Sequence, residues 1–100
     1  MNLPAWKSVL IDMEHIASGH MQGGSRIMSG SRKDIFYNMS QVQVERAVRE
    51  AYRYSSRVAS QGDRVLLRGN SNSSGYVVEM WVNTSTKTIE TAYPVGFLVR

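Results

Sequence analysis

Two histidines stand close together near the start of the chain, at positions 15 and 20. Imidazole has an ordinary pKa of about 6.5, which suits general acid–base catalysis at neutral pH. On a continuous helix this spacing separates the two side chains by about 140°, so we expect one shared site only if the helix ends near Ser18. His20 would then lie in the following loop. The alternative is structural: His15 packs or caps the helix, and His20 is simply exposed.

A metal site is another interpretation of this region. Asp12 and Glu14 add two carboxylates to His15 and His20, and all four are ligand types for zinc or a non-haem metal. The histidine spacing differs, however, from the four-residue helical spacing of known zinc motifs. We therefore predict chemistry without a metal or another cofactor.

The segment from Gly19 to Lys33 is dense in glycine and serine, which predicts a long loop. Gly24, Ser25 and Arg26 offer backbone N–H groups and a guanidinium that could bind a phosphate of the substrate. The segment lacks the Walker pattern, so a nucleotide-binding loop is not favoured. Lys33 could stabilise charge that grows on a phosphate in a transition state, or it could be an ordinary surface lysine.

Thr91 and Tyr93 stand two residues apart on a predicted strand. Their side chains therefore emerge on one face of the sheet, about 7 Å apart along the strand. A hydroxyl and a phenol in this arrangement could hold a phosphate or stack on a base. The alternative is that both residues merely reflect the preference of threonine and tyrosine for strands.

Two helices are predicted before the strands. Apolar residues over Pro4–Ala17 recur at the spacing of one helix face. Ser40 and Gln43 form a capping box that opens a second helix, which we expect to end near Ala59. Its apolar stripe comprises Val44, Ala47, Val48, Ala51, Tyr52, Ser55 and Val58.

After this helix the apolar pattern changes to a period of two, which predicts strands. The predicted strands are Arg64–Gly69, Tyr76–Val82, Thr86–Tyr93 and Val95–Val99. Their short links join antiparallel neighbours. The fold class is therefore α+β, with N-terminal helices followed by an antiparallel β-sheet in a single domain that spans residues 1–100.

Composition limits the class of function. The net charge of +4 and pI near 9.8 favour an anionic partner such as nucleic acid. The absence of cysteine excludes disulfides, thiolate nucleophiles and sulfur-ligated zinc. Apolar runs are too short to cross a bilayer, and the first residues do not resemble a signal peptide, so no membrane partner is expected.

In their order along the chain, these residues resemble the bacterial EndoU nucleases, which are toxin domains at the C-terminal ends of large secreted bacterial proteins. The resemblance spans roughly residues 15 to 94. Its most specific feature is His and Lys near the start with Thr-Ala-Tyr-Pro near the end. The matching runs are His15–His20, Gly23–Arg26, Lys33–Phe36, the helix that opens at Met39-Ser40, Gln61–Val65, Glu79–Asn83 and Ile89–Pro94.

The resemblance implies an EndoU-like fold in the group of small ribonucleases that includes barnase, colicin and RelE. It also implies a metal-independent endoribonuclease with a His/His/Lys centre. One histidine would deprotonate the 2′-hydroxyl of RNA, and the other would protonate the leaving 5′-oxygen. Lys33 would stabilise the transition state, and a 2′,3′-cyclic phosphate would result. The residues that match the family pattern are His15, Lys33, Thr91 and Tyr93.

One position departs from the family pattern. Ser25 stands where many members have a histidine. His20 is then expected to be the second catalytic histidine. The alternative is a catalytically impaired RNA- or protein-binding module of the same fold.

The resemblance further implies partners and a location. The expected substrate is RNA, with tRNA as the favoured class, and the expected protein partner is a cognate immunity protein. The domain would belong to a secreted or surface-displayed bacterial protein and act in the cytoplasm of a target cell, in contact-dependent growth inhibition between competing bacteria.

Overall fold

The computed structural model describes residues 3–21, 35–36 and 39–98. These residues form two helices and one mixed five-stranded sheet, which confirms the predicted α+β class. No helix among them is long and apolar enough to cross a membrane. The elements in chain order are β1 (Leu10–Ile11), α1 (Met13–His20), α2 (Gln41–Arg53), β2 (Ser56–Gln61), β3 (Arg64–Ser71), β4 (Tyr76–Asn83) and β5 (Thr88–Phe97).

The strands lie in the order β1-β5-β4-β3-β2. Strands β2 to β5 form an antiparallel meander, as their short connections require. Strand β1 instead pairs in parallel with β5, with Leu10 opposite Thr88 and Ile11 opposite Ile89. The prediction of a wholly antiparallel sheet is therefore wrong at this pair, because the N-terminal chain joins the sheet as an edge strand before α1 begins.

The predicted helix over Pro4–Ala17 is wrong in its first part. The backbone N–H of Leu10 donates to the carbonyl of Lys87, so the chain is extended at this point. Helix α1 begins only after Asp12, whose carboxylate accepts the backbone N–H of His15 at 3.1 Å and caps the helix. The helix then continues to His20 and does not end near Ser18.

Helix α2 begins as predicted but ends earlier. Ser40 and Gln43 form the reciprocal capping box, with bonds of 2.8 and 3.2 Å. The helix ends at Arg53, and the six residues after Ser55 form the exposed strand β2. The predicted end near Ala59 is therefore wrong, and Val58 belongs to this strand instead of the apolar stripe. The turn after β2 is a hairpin that pairs β2 with β3.

The core lies between α2 and one face of the sheet. Helix α2 packs on β3 and β4 through its buried stripe of Val44, Ala47, Val48, Ala51 and Tyr52. A Cβ atom at Gly69 would lie 1.9 Å from the carbonyl oxygen of Ala51, so only glycine permits this close approach of helix and strand.

The other face of the sheet is not covered by α2 and carries Thr91 and Tyr93. Trp81 lies opposite Thr91, and Glu79 lies opposite Tyr93. The register between β4 and β5 shifts by one residue between Thr91 and Ile89, so Glu90 forms a β-bulge. The two predicted strands Thr86–Tyr93 and Val95–Val99 prove to be one continuous strand that contains Pro94. Proline is tolerated there because β1 covers β5 only at its start.

Candidate active site

Helix α1 packs on β5 and directs both histidines towards it. Its buried residues are Ile16 and Gly19. At about 100° per residue, His15 and His20 flank this buried stripe, each roughly 70° from its centre. The helix is continuous through Ser18, so the predicted helix end there is wrong, and the two imidazoles meet different groups along β5: His15 lies at a cavity with Thr91, and His20 contacts Tyr93.

His20 lies against Tyr93. The ring centroids are 5.4 Å apart and the ring planes are tilted by 38°. The hydroxyl of Tyr93 donates to Oε1 of Glu79 at 3.3 Å, and the other oxygen of Glu79 pairs with Arg68. These contacts fix the phenol between the end of α1 and the adjacent strand.

His15 lies at a cavity of about 450 Å³ on the same face of the sheet. This volume is within the usual range of small-molecule sites, about 300–1,000 Å³. The cavity combines an imidazole, a guanidinium, an indole and a hydroxyl, which are groups suited to a phosphate and a base. It is lined by Asp12, His15, Gln61, Arg64, Trp81, Glu90 and Thr91.

An ion pair lies at this cavity. Arg64 Nε donates to Glu90 Oε1 at 2.6 Å, and Asn83 Nδ2 donates to the other oxygen at 3.3 Å. The hydrogen bond from Arg64 is the largest cause of the lowered pKa of Glu90; the bond from Asn83 and the charges of Arg64 and His15 lower it further, against partial burial. Glu90 is therefore ionised at neutral pH, and Arg64 compensates its charge.

The hydroxyl oxygen of Thr91 is buried and has no hydrogen-bond partner within the described part of the chain. A buried polar atom without a partner costs about 1–3 kcal/mol, so such atoms are uncommon outside functional sites. Thr91 also lines the cavity beside His15.

Of the site residues predicted from sequence, the structure brings His15 and Thr91 to one cavity and His20 to Tyr93. Gly24, Ser25, Arg26 and Lys33 lie outside the described residues.

The sequence did not single out Arg64, Trp81 or Glu90 as site residues. The alternation along β4 places Glu79 and Trp81 on one face, but their pairing with β5 depends on a bulge that the sequence does not mark.

Asp12, considered as a metal ligand, instead caps α1. Among residues 3–21, 35–36 and 39–98, no group of three or more His, Cys, Asp or Glu side chains could hold a metal ion.

Comparison of the chain with protein-family models, curated proteins and solved structures gives no match. The structure thus defines the class as a small α+β domain with a mixed sheet and two histidines against one strand. In general, imidazoles can transfer protons, a guanidinium can bind anions, and aromatic rings can stack on bases.

Proposed function

We propose that the protein is a metal-independent endoribonuclease with an EndoU-like fold. The observation that carries the proposal is the placement of both histidines of α1 against β5. His15 shares a cavity with Thr91, and His20 contacts Tyr93. Five residues of helix rise about 7.5 Å and two residues of strand about 7 Å, so the axial rise between the histidines is similar to the separation of Thr91 and Tyr93 along β5.

The proposed reaction needs one base and one acid. One imidazole takes the proton of the 2′-hydroxyl, whose oxygen forms a bond to the adjacent phosphorus. The bond from phosphorus to the 5′-oxygen breaks, and the other imidazole protonates that oxygen. The products are a 2′,3′-cyclic phosphate and a 5′-hydroxyl. Lys33 is proposed to stabilise the charge on the phosphate in the transition state.

The cavity beside His15 offers groups for the nucleotide at the cleavage point. Arg64 is placed to attract a phosphate, although Glu90 compensates part of its charge. Trp81 offers an indole face for stacking on a base, an interaction worth about 1–3 kcal/mol per base. Thr91 is proposed to hold the scissile phosphate or the histidine that acts on it, and its hydroxyl has no other partner among the described residues.

A binding module without catalysis is the second candidate function. One observation favours it: Ser25 stands where many EndoU nucleases have a histidine, so a proton-transfer group of the family pattern is missing at that position. Such a module would bind RNA or protein through the same face.

The resemblance extends the proposal to the biology. We propose tRNA as the substrate, a cognate immunity protein as the partner, and delivery as the toxin domain of a secreted or surface-displayed bacterial protein that acts in the cytoplasm of a competing cell.

The proposal is tested with purified protein and bulk tRNA, followed by sequencing of the RNA ends. Cleavage in excess EDTA with 2′,3′-cyclic phosphate ends is expected. His15→Ala and His20→Ala should each abolish most of the activity, because each removes one proton-transfer group. Glu14→Ala, an exposed neighbour on α1, is the matched control and should remain active.

Activity that is lost with EDTA and restored by Zn²⁺ would contradict the mechanism. RNA binding without any cleavage would favour the binding module. If only His15→Ala is inactive, the second proton-transfer group is not His20.

A further inference from the structure

A second surface lies on the outer side of α2, on the face of the domain away from Thr91 and Tyr93. We define it as the α2 surface, formed by Trp6, Lys7, Arg46, Arg53 and Tyr54. Arg46 and Arg53 are two helical turns apart and lie opposite the buried stripe of α2. Four residues of this surface line a cavity of about 300 Å³ together with two carboxylates and a further arginine of α2: Trp6, Arg46, Arg53 and Tyr54 with Glu45, Glu50 and Arg49.

Aromatic rings hold the cations of this surface. The guanidinium carbon of Arg53 lies 4.5 Å from the ring centroid of Trp6 and 5.2 Å from that of Tyr54. Lys7 Nζ lies 5.5 Å from the same tryptophan ring. A guanidinium that rests on a ring keeps its N–H edge directed outwards, where it can bind a phosphate.

The charged residues of the α2 surface differ in whether they have a partner of opposite charge or a hydrogen-bond partner. Within the described residues, Lys7, Arg46 and Arg53 have no carboxylate partner. Of the two carboxylates at the cavity, Glu50 accepts three hydrogen bonds on Oε1 from Ser71 and Ser73, and Glu45 pairs with Arg49 at 3.8 Å. Both carboxylates therefore have partners of their own, and the cations of Lys7, Arg46 and Arg53 remain for an anionic ligand.

Arg46 connects this surface to a second aromatic site. It also lines a cavity of about 470 Å³ that contains Tyr76 and Phe97. Phe97 is 73% exposed, and its ring lies 5.0 Å from that of Tyr76. Exposed rings on both sides of one arginine suit a chain of bases and phosphates better than a single small anion.

We propose that the α2 surface binds a single-stranded segment of RNA at a distance from the cleavage site. The inference rests on the proposed function only in naming RNA as the ligand. Phosphates contact Arg46, Arg53 and Lys7, and a base stacks on Tyr54, which is 56% exposed. A long substrate is then held at two faces of the domain.

The test measures binding to a fluorescent 2′-O-methyl RNA about 12 nucleotides long, within the span of known single-strand sites. The blocked 2′-oxygen prevents cleavage, so binding is measured by anisotropy without turnover. The double variant Arg53→Gln/Tyr54→Ser removes one charge and one ring. Its Kd should rise roughly 5- to 150-fold, the equivalent of 1–3 kcal/mol of stacking, and its salt dependence should weaken.

Lys87→Gln is the matched control, because it removes one exposed positive charge outside the α2 surface. Its Kd should change less than about twofold, as expected for a rim charge that makes no specific contact. Melting temperatures of both variants establish that the fold is intact.

Three outcomes would overturn the inference: unchanged binding in the double variant, an equal loss in Lys87→Gln, or displacement of the RNA by polyglutamate as readily as by unlabelled RNA. The last outcome would assign the surface to an acidic protein. Wild-type protein that binds through this surface but never cleaves RNA refutes the proposed nuclease and supports this inference. Cleavage of tRNA by the wild type, together with unchanged RNA binding in the double variant, supports the proposed nuclease and refutes this inference.

Discussion

The imidazole of His20 and the phenol of Tyr93 lie 5.4 Å apart and are tilted by 38°. The hydroxyl of Tyr93 donates to Glu79 on the neighbouring strand. The ring therefore meets α1 while the hydroxyl is bound to the sheet. His20 is the last residue of α1, so this contact joins the end of the helix to β5.

This geometry separates the roles of the ring and the hydroxyl of Tyr93. Tyr93→Phe keeps the ring beside His20 and loses one hydrogen bond, so kcat/KM for RNA should change little. Tyr93→Ala removes the ring, and if its contact is worth about 1–3 kcal/mol in the transition state, kcat/KM should fall roughly 5- to 150-fold. Steady-state cleavage measured beside melting temperature checks both. If kcat/KM falls equally in Tyr93→Phe, the hydroxyl of Tyr93 and not its ring positions His20.

Thr91→Val tests whether the buried hydroxyl serves function or packing. The substitution removes a polar atom that has no partner among the described residues, so the melting temperature should stay the same or rise. Activity should fall, because the hydroxyl is no longer available to the substrate or to a catalytic histidine.

Thr91→Ser is the control, since it keeps the hydroxyl and should retain more activity. A Thr91→Val protein with full activity and a lower melting temperature would place Thr91 in the core and remove it from the site.

Local signals were sufficient to predict where α2 begins but not where it ends. The capping box of Ser40 and Gln43 is complete within four residues. The end depends on pairing of β2 with β3 across the hairpin at Gly62, a contact between different parts of the chain. Val58 fits the helical spacing of the apolar stripe only by coincidence, because it lies in strand β2.

In the site, too, local signals predicted some residues, and contacts between different strands determine the others. His15, His20, Thr91 and Tyr93 were singled out by residue type and by spacing within one element. Trp81 and Glu79 face them only because β4 and β5 pair in a register shifted by a bulge. Arg64 reaches Glu90 from a third strand, and neither propensity nor spacing predicts a contact of this kind.

A pair of substitutions on α2 tests the observed phase of the helix. Val48 is fully buried, so Val48→Asp places an unpaired charge in the core and should unfold the domain. Val42 on the same helix is 59% exposed, and Val42→Asp adds a negative charge near the helix N-terminus, which is neutral or slightly favourable. Circular dichroism and thermal melts compare the two variants. A folded Val48→Asp protein would show that this face of α2 is not in the core.

The ion pair of Arg64 and Glu90 predicts a pH dependence of stability. Arg64 lowers the pKa of Glu90 below its ordinary value of 4.5. A group with a lowered folded-state pKa stabilises the fold above its unfolded pKa, and that contribution is lost as the pH falls through the folded-state pKa. The melting temperature of Arg64→Gln should therefore lie below that of the wild type at neutral pH, and the difference should shrink through the acid range.

Arg46→Gln is the matched control, because Arg46 has no carboxylate partner in the described part of the chain. Its difference from the wild type should be small and change little with pH. In a Glu90→Gln background, Arg64→Gln should have almost no effect, since the pair is already broken. The pair is partly exposed, so its contribution at neutral pH should also decrease with added salt. A difference between Arg64→Gln and the wild type that persists unchanged in strong acid would mean that Arg64 stabilises the domain by packing and not by its charge.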